Sequence, residues 1–339
     1  MKGRVFLKTF IVLIILVFSI FSIVVFWLNR PTGNIPVTGI EFQVKKGYTT
    51  HTVADLLYKN RYIHSKLLFV SIVRLLNLDK ELKIGYFFIE SDSSTFKIIN
   101  SIYNGKFVTV SFMIPEGYSF KQIKETLINL NVLTEEEIED FFSLPDYKER
   151  LGISGFPSIE GLLGCDTYVF NKGSSAETIF KGMVNLFFKK LEQIYPDYKN
   201  MPKKDLYEKI ILASIIEKEV KNHNESKIVA GIFYNRLKIK MRLQSCATVQ
   251  YILGKPKEHL LESDLLIDNP YNTYLYYGLP PTAICNPGVE ALKASFFPAK
   301  HNYLFFVVKD PVEGTHYFSE TYEEHLLAQK KYKAIKGLY

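Results

Sequence analysis

Phe10 to Leu28 carries no charged residue, and only Ser19 and Ser22 interrupt its branched, aromatic and aliphatic side chains. This run constrains the chain more than any other feature. It is long enough to cross a bilayer's hydrocarbon core as a helix, and in hydrocarbon a helix is the single-segment structure that satisfies its own backbone. Lys2, Arg4 and Lys8 precede it, so the positive-inside tendency leaves a short tail in the cytoplasm and exports everything after Arg30. The run exceeds a typical signal-peptide core and no small-x-small cleavage pattern follows before Pro31. An uncleaved anchor is therefore expected, with a cleaved signal as the alternative. No second run of this length occurs, which predicts a single span with the bulk of the chain in the periplasm or outside the cell.

Roughly 310 residues remain, enough for two or three units with adequate cores. A formal charge of +7 is modest for 339 residues, and Lys and Glu are scattered rather than blocked. This argues against nucleic acid as a partner and fits a surface near anionic lipid or an anionic wall polymer. Cys165, Cys246 and Cys285 lack metal-ligand spacing, and an odd number precludes a fully paired framework. No histidine pair sits at helical spacing with a cysteine nearby; neither a metal nor another cofactor is expected. His316 remains a residue that could line a cleft.

After the anchor the chain repeats itself. Val44-Lys-Lys-Gly47-Tyr48-Thr49 heads a helical pattern with Val53 and Leu57; seventy positions on, Ile114-Pro-Glu-Gly117-Tyr118-Ser119 heads another with Ile123 and Leu127. Each reads as an alternating strand (Ile40 to Val44; Val108 to Ile114), a Gly-Tyr turn, a Thr or Ser cap and an amphipathic helix ending at Ile63 or Leu133. Between them a helix is predicted over Ser65 to Leu76, a strand over Gly85 to Glu90 and a helix over Ser94 to Tyr103. The expected organisation is a tail and anchor over residues 1–30, a small α+β domain containing the repeat over 38–150, and a mixed α+β domain over 151–339. A short repeated strand-helix unit fits either a glycan-binding module or a spacer.

In the last segment, Ser158 to Tyr168 is turn-rich and carries an acid pair, Glu160 and Asp166. Helices are predicted over Ser175 to Ile194, Leu206 to Lys221 and Glu225 to Leu237, and a strand over Tyr303 to Val308 pairing with His316 to Phe318. The middle helix is apolar on most sides, yet carries Glu217 between Ile210, Ala213 and Val220 at the edge of a strip with Ser214 and Lys221. Desolvation there favours the protonated carboxyl, which is what general-acid cleavage of a glycosidic bond requires. The alternative is a helix glutamate paired with Lys221. Glu219, two residues on, is rotated by about 200° and cannot join Glu217 across a scissile bond; it faces a loop or a basic residue. Loops rich in amides, hydroxyls and rings follow, at Asn269 to Tyr274, Gly278 to Pro281 and Asn286 to Gly288. Such groups suit a sugar site, and also any exposed turn.

Glu160-Gly161 with Asp166-Thr167-Tyr168, Ala213 to Glu219, Asn235-Arg236-Leu237, Arg242-Leu243-Gln244-Ser245, Tyr271-Asn272-Thr273-Tyr274, Gly278-Leu-Pro-Pro281 and Asn286-Pro-Gly288 stand in one order. In that order, behind a single anchor, the chain resembles the bacterial endolytic murein transglycosylases, the YceG-like family. The resemblance implies a LysM-like domain where the repeat lies, then a catalytic domain with its acid on a central helix. It implies cleavage of the β-1,4 bond after N-acetylmuramic acid in nascent glycan strands, leaving 1,6-anhydro ends, with Glu217 as the catalytic acid. Glu160, Asp166, Tyr168, Gln244, Asn272, Thr273 and Tyr274 are then candidates for holding the sugar or orienting its loops. Peptidoglycan strands and wall synthases are the implied partners. With one acid, Glu217 would protonate the leaving oxygen and then take the proton of the muramic O6 hydroxyl as that oxygen attacks C1, an intramolecular nucleophile whose entropy cost is already met.

The chain departs from the family pattern at Gly164-Cys165, where Phe-Pro is usual, and at Cys246, where an Asp is usual. Two other readings stay open: a catalytically silent glycan-binding scaffold for wall synthesis, and a muramidase using water with Asp166 as second carboxylate. The motif positions place the cysteines around one cleft, where Cys165 and Cys246 would form a disulfide or all three would remain buried thiols.

Overall fold

Helix α1 (Lys2–Asn29) contains the apolar stretch Phe6–Asn29, 24 residues of mean hydropathy 3.1. At 1.5 Å per residue the stretch is about 36 Å long, against a hydrocarbon core of about 30 Å. Its side chains stand open to the surroundings, Phe18 at 68% and Phe26 at 72% exposure, so nothing in the fold competes for them. The computed structural model describes residues 2–105, 107–254, 257 and 260–336. They form a mixed α+β fold in two compact units.

The first unit runs to Val110 and takes in Val169–Ser174. β1 (Ile40–Val44) is followed by α2 (Thr50–Lys59), α3 (Lys66–Leu75), β2 (Gly85–Ile89) and α4 (Thr95–Tyr103). β1 and β2 pair antiparallel with Phe42 opposite Phe87. Alternation sends Phe42, Val44, Phe87 and Ile89 to one face, where Val53, Leu57, Phe69, Val73, Ile98 and Ile102 complete the core. The end of α1 is tied to this unit: Asn29 Oδ1 accepts the Phe96 N–H at 3.0 Å, capping an otherwise unpaired donor of α4.

β3 (Thr109–Met113) and β4 (Thr167–Asn171) form a two-stranded ribbon along which the chain passes from one unit to the other. The second unit holds α5 (Phe120–Asn129), α6 (Glu135–Ser143), α7 (Tyr147–Leu151), α8 (Ala176–Ile194), α9 (Lys203–Glu219), α10 (Ser226–Lys238), α11 (Cys246–Leu253), α12 (Glu262–Leu265) and α13 (Val289–Phe296). The hairpin β5 (Phe305–Asp310) and β6 (Thr315–Ser319) precedes α14 (Tyr322–Lys336).

Both copies of the repeat adopt the same local structure. Gly47 (φ +88°) and Gly117 (φ +77°) make the turn, Thr49 and Ser119 cap the helices, and Arg61 and Asn131 leave them with positive φ before buried Ile63 and Leu133. They do not share a unit. The packing division falls at Val110, well ahead of the expected boundary at residue 150. The reason is apolar burial: Ile123, Leu127, Ile138 and Phe141 are buried in the second unit, where the Phe142 and Phe180 rings meet at 5.0 Å. Within that unit α9 is central, with α10, α11 and α13 packed against it and nearly every residue from Leu206 to Ile216 buried on one side or another. It begins at Lys203 and ends at Glu219, a little earlier than its periodicity predicts, because Val220 turns to extended backbone.

Candidate active site

Glu217 sits on the last turn of α9, half-buried, with Ala213 and Ile216 fully buried beside it. Its Oε2 accepts the Gly288 N–H at 3.0 Å, at the N-terminus of α13. No ion pair joins it to Lys221 among the described residues, so the reading of a simple i, i+4 salt bridge is not what the packing gives. Burial lifts the carboxyl above its ordinary range; the Gly288 bond and the charges of His223 and Lys218 oppose this, while the charge of Glu116 adds to it. A carboxyl whose protonated form is favoured by burial is suited to donating that proton to a leaving oxygen.

Glu116 is the residue that sequence reasoning missed. It belongs to the Gly-Tyr turn of the second repeat, and its Oε1 accepts the Val289 N–H at 3.3 Å, one amide along from the one held by Glu217. The turn is stitched down by Gly117 N–H to Asn286 O at 2.9 Å and Asn286 N–H to Tyr118 O at 2.8 Å. A Cβ on Gly117 would stand 3.6 Å from Glu217 Cγ, so the turn lies directly against the acid. The signal available in the sequence was the repeat itself: Lys46 of the first copy is replaced by Glu116 in the second.

A cleft of about 550 Å³ opens beside this turn, walled by Gly117, Phe120, Gln122, Lys218, Tyr251 and Ile284. A larger cavity of about 870 Å³ lies between Phe156, Tyr207, Leu279 and Pro281. The smaller cleft is the candidate site: the buried Glu160 lines it, and Gly117 and Lys218 in its wall are the neighbours of Glu217.

Of the other sequence-derived residues Glu160 lines this cleft, and Asp166, Tyr168, Gln244, Asn272, Thr273 and Tyr274 lie outside its wall. Glu160 is 5% exposed; its carboxylate accepts Phe120 N–H at 2.8 Å, Asn286 Nδ2 at 3.3 Å and the Tyr251 hydroxyl at 3.3 Å. Burial pushes it up to about 7 against those bonds. Asp166 is exposed and paired with Lys190 at 3.0 Å, and that bond, with the Thr167 N–H, holds it below the usual carboxylate range. Tyr168 is buried, its hydroxyl donating to Gly164 O and its ring stacked on Phe112 at 5.6 Å. Asn272, fully buried, donates to Leu265 O and Ile267 O at 3.0 and 2.9 Å and accepts Tyr274 N–H at 3.0 Å. Thr273 Oγ1 accepts Ser245 N–H at 3.0 Å and meets Thr248 Oγ1 at 2.9 Å. Gln244 is exposed with φ +49°, its N–H on Thr273 O. Tyr274 meets Cys246 Sγ at 3.1 Å. The polar groups of the Asn-Thr pair are thus engaged inside the protein, leaving Gln244 exposed to solvent.

Glu219 accepts from the Ser245 hydroxyl and from Ala247 N–H, capping α11 on the far side of α9 from Glu217. His316 is not at a cleft: its ring bonds Glu225 at 2.7 Å in the interior. Of the two readings for the cysteines, the Cys165–Cys246 disulfide is absent, since all three cysteines are free. Cys165 donates to Asn286 O at 3.4 Å and Cys285 to Ser214 O at 3.2 Å, both buried, whereas Cys246 is exposed beside Tyr274. Each thiol has its own partner, and the three are not all buried either.

The sequence pattern of the YceG-like family matches residues 42–331. An endolytic murein transglycosylase of Bacillus subtilis (strain 168) is 29% identical over 328 residues, covering 91% of this chain and 89% of the relative. One from Streptococcus pneumoniae serotype 2 is 28% identical over 314 residues, 83% of this chain, which spans 56% of that longer protein. The 2.6 Å crystal structure of a yceG-like protein from Listeria monocytogenes is similar at TM-score 0.55 and 28% identity, over 85% of this chain and 98% of that one.

Proposed function

The chain belongs to the YceG-like family, and from that premise we propose that it is an anchored endolytic peptidoglycan lytic transglycosylase with Glu217 as its acid. The observation that carries the reading is the half-buried Glu217, lifted above the usual carboxylate range behind Gly117 and Lys218, which wall an open cleft. Glu217 protonates the glycosidic oxygen between N-acetylmuramic acid and N-acetylglucosamine as the C1–O bond breaks. The resulting carboxylate then takes the O6 proton while O6 bonds to C1, which closes the 1,6-anhydro ring and returns the acid to its starting form. Gly288 N–H, bonded to Oε2, steadies the ionised intermediate state of the carboxylate.

Gln244, exposed, and Tyr274, beside Cys246, are the candidates for contacting sugar beyond the cleft wall, on the side of α9 that carries Glu219. Glu160, Asp166, Tyr168, Asn272 and Thr273 act on the substrate through the loops they hold. The pairing of Asp166 with Lys190 supports the single-acid route over a water-using muramidase. The first unit serves as the LysM-like, glycan-associated module behind the anchor. Helix α1 spans the cytoplasmic membrane with its N-terminus inside, and protease added outside spheroplasts should degrade everything after about Arg30. Protection of the second unit would overturn that orientation. The reaction is tested by digesting wall sacculi in heavy-oxygen water: anhydro ends free of solvent oxygen are expected. Labelled reducing ends would establish the hydrolase instead, and no cleavage the silent scaffold.

A further inference from the structure

The end of α1 is the part of that helix that the rest of the protein covers. Val25, Leu28 and Asn29, on one face of its last turn, are partly buried, whereas the described side chains before them stand exposed. This turn meets the starts of α3 and α4, all within the first unit. The Thr95 hydroxyl donates to Leu28 O at 3.4 Å and the Phe96 N–H to Asn29 Oδ1 at 3.0 Å. The Trp27 ring lies 5.2 Å from that of His64, which stands just ahead of Ser65, the cap of α3. In the same first turns two large apolar side chains are open, Leu67 at 81% and Phe96 at 51% exposure. Their neighbours Lys66 and Lys97 are paired with Asp55 and Asp92 at 2.5 and 3.0 Å, which leaves the patch apolar with little net charge.

We infer that this patch docks the first unit on the outer surface of the bilayer, with Leu67 and Phe96 entering the boundary between headgroups and acyl chains. The inference rests on the reading of α1 as a membrane span. The apolar stretch is longer than the hydrocarbon core by about 6 Å, or about four residues. Lys8 near one end, and Trp27 with Arg30 5.5 Å from its ring at the other, place that excess in the headgroup layers. Groups bonded to residues 27–29 stand at the same depth, so the first turns of α3 and α4 are held in the headgroup layer. Exposed Leu and Phe side chains there exchange water for acyl chain, which is favourable in proportion to the apolar area covered. Because Lys66 and Lys97 are already paired, the contact does not require anionic lipid. A unit seated in this way keeps a fixed height above the bilayer instead of swinging from a flexible tether.

The test uses the full chain in phosphatidylcholine vesicles whose lipids carry a nitroxide near the glycerol end of one acyl chain. L67C and F18C, each combined with C246S so that the remaining thiols are buried, receive a single fluorophore. At position 67 strong quenching by the lipid nitroxide and protection from aqueous iodide are expected, with lipid quenching also at position 18. Lipid quenching at position 18 together with free access of iodide to position 67 would overturn the docking and leave the span standing. Protection of position 67 from both quenchers would also overturn it, since a second copy of the chain would then be covering the patch. Iodide access at both positions would overturn the span and the docking with it. The unsubstituted chain supplies a second measurement, free of any introduced label. Photoactivatable phosphatidylcholine should crosslink to the peptides containing Leu67 and Phe96 as well as to α1, and crosslinks confined to α1 would refute the docking.

Discussion

Glu160→Gln tests the most heavily buried carboxyl of the second unit. Glu160 holds the first turn of α5 by accepting the Phe120 N–H, and its burial raises it from 4.5 to about 7. At about 1.36 kcal/mol per pH unit, that gap corresponds to about 3 kcal/mol. Because the folded carboxyl binds its proton more tightly than the unfolded one, its contribution is fully present below pH 4.5. It is lost as the pH rises through about 7. Wild type should therefore lose about 3 kcal/mol from this group between pH 4 and pH 8.5. Glutamine keeps one oxygen for the Phe120 N–H and places an amide donor toward the Tyr251 hydroxyl, with no charge to bury. Urea unfolding of the two proteins, followed by circular dichroism at both pH values, isolates the group by difference. The variant should be the more stable at pH 8.5 and should show the shallower pH dependence. Equal pH dependence in the two proteins would refute the reasoning, since it would mean that Glu160 is ionised at little cost throughout.

Glu217→Gln removes the transferable proton while keeping an acceptor for Gly288 N–H; cleavage should fall by about 10² or more, with thermal stability at neutral pH unchanged or raised. Near-normal turnover by the folded variant would end its assignment as the acid. Alkylation of the native, unreduced protein should modify Cys246 first, with Cys165 and Cys285 reacting only after unfolding. Peptide mapping that recovers a linked pair in place of three alkylated peptides would contradict the free thiols.

Features set by neighbours in the chain were legible in the sequence. The α1 run, the Gly-Tyr turns and their caps, and the near all-round apolar character of α9 all follow from spacing within a dozen residues. Glu217 stood out for the same reason, as an acid among Ala213, Ile216 and Val220. The strand β4 and the helices α11 and α13 were harder to see. Each is short, and the sequence around α11 and α13 carries the loop residues Gln244-Ser245 and Asn286-Pro-Gly288 that mask a helix start.

The sequence by itself determined an apolar N-terminal helix, a duplicated strand-turn-helix unit and one acid forced into an apolar helix, because each is written in local periodicity. Only the tertiary structure decided which polar side chains turn inward. Asn272 and Thr273 look like ligands for a sugar in a loop-rich stretch, yet their amide and hydroxyl are needed by Leu265, Ile267, Ser245 and Thr248, whose backbone or hydroxyl groups would otherwise be buried unpaired. Only the tertiary structure, too, brought Glu116 to Glu217. The two lie far apart in the chain, and their meeting depends on the Asn286 loop carrying Gly288 and Val289 to both carboxyls at once, a convergence of three segments that no local pattern encodes.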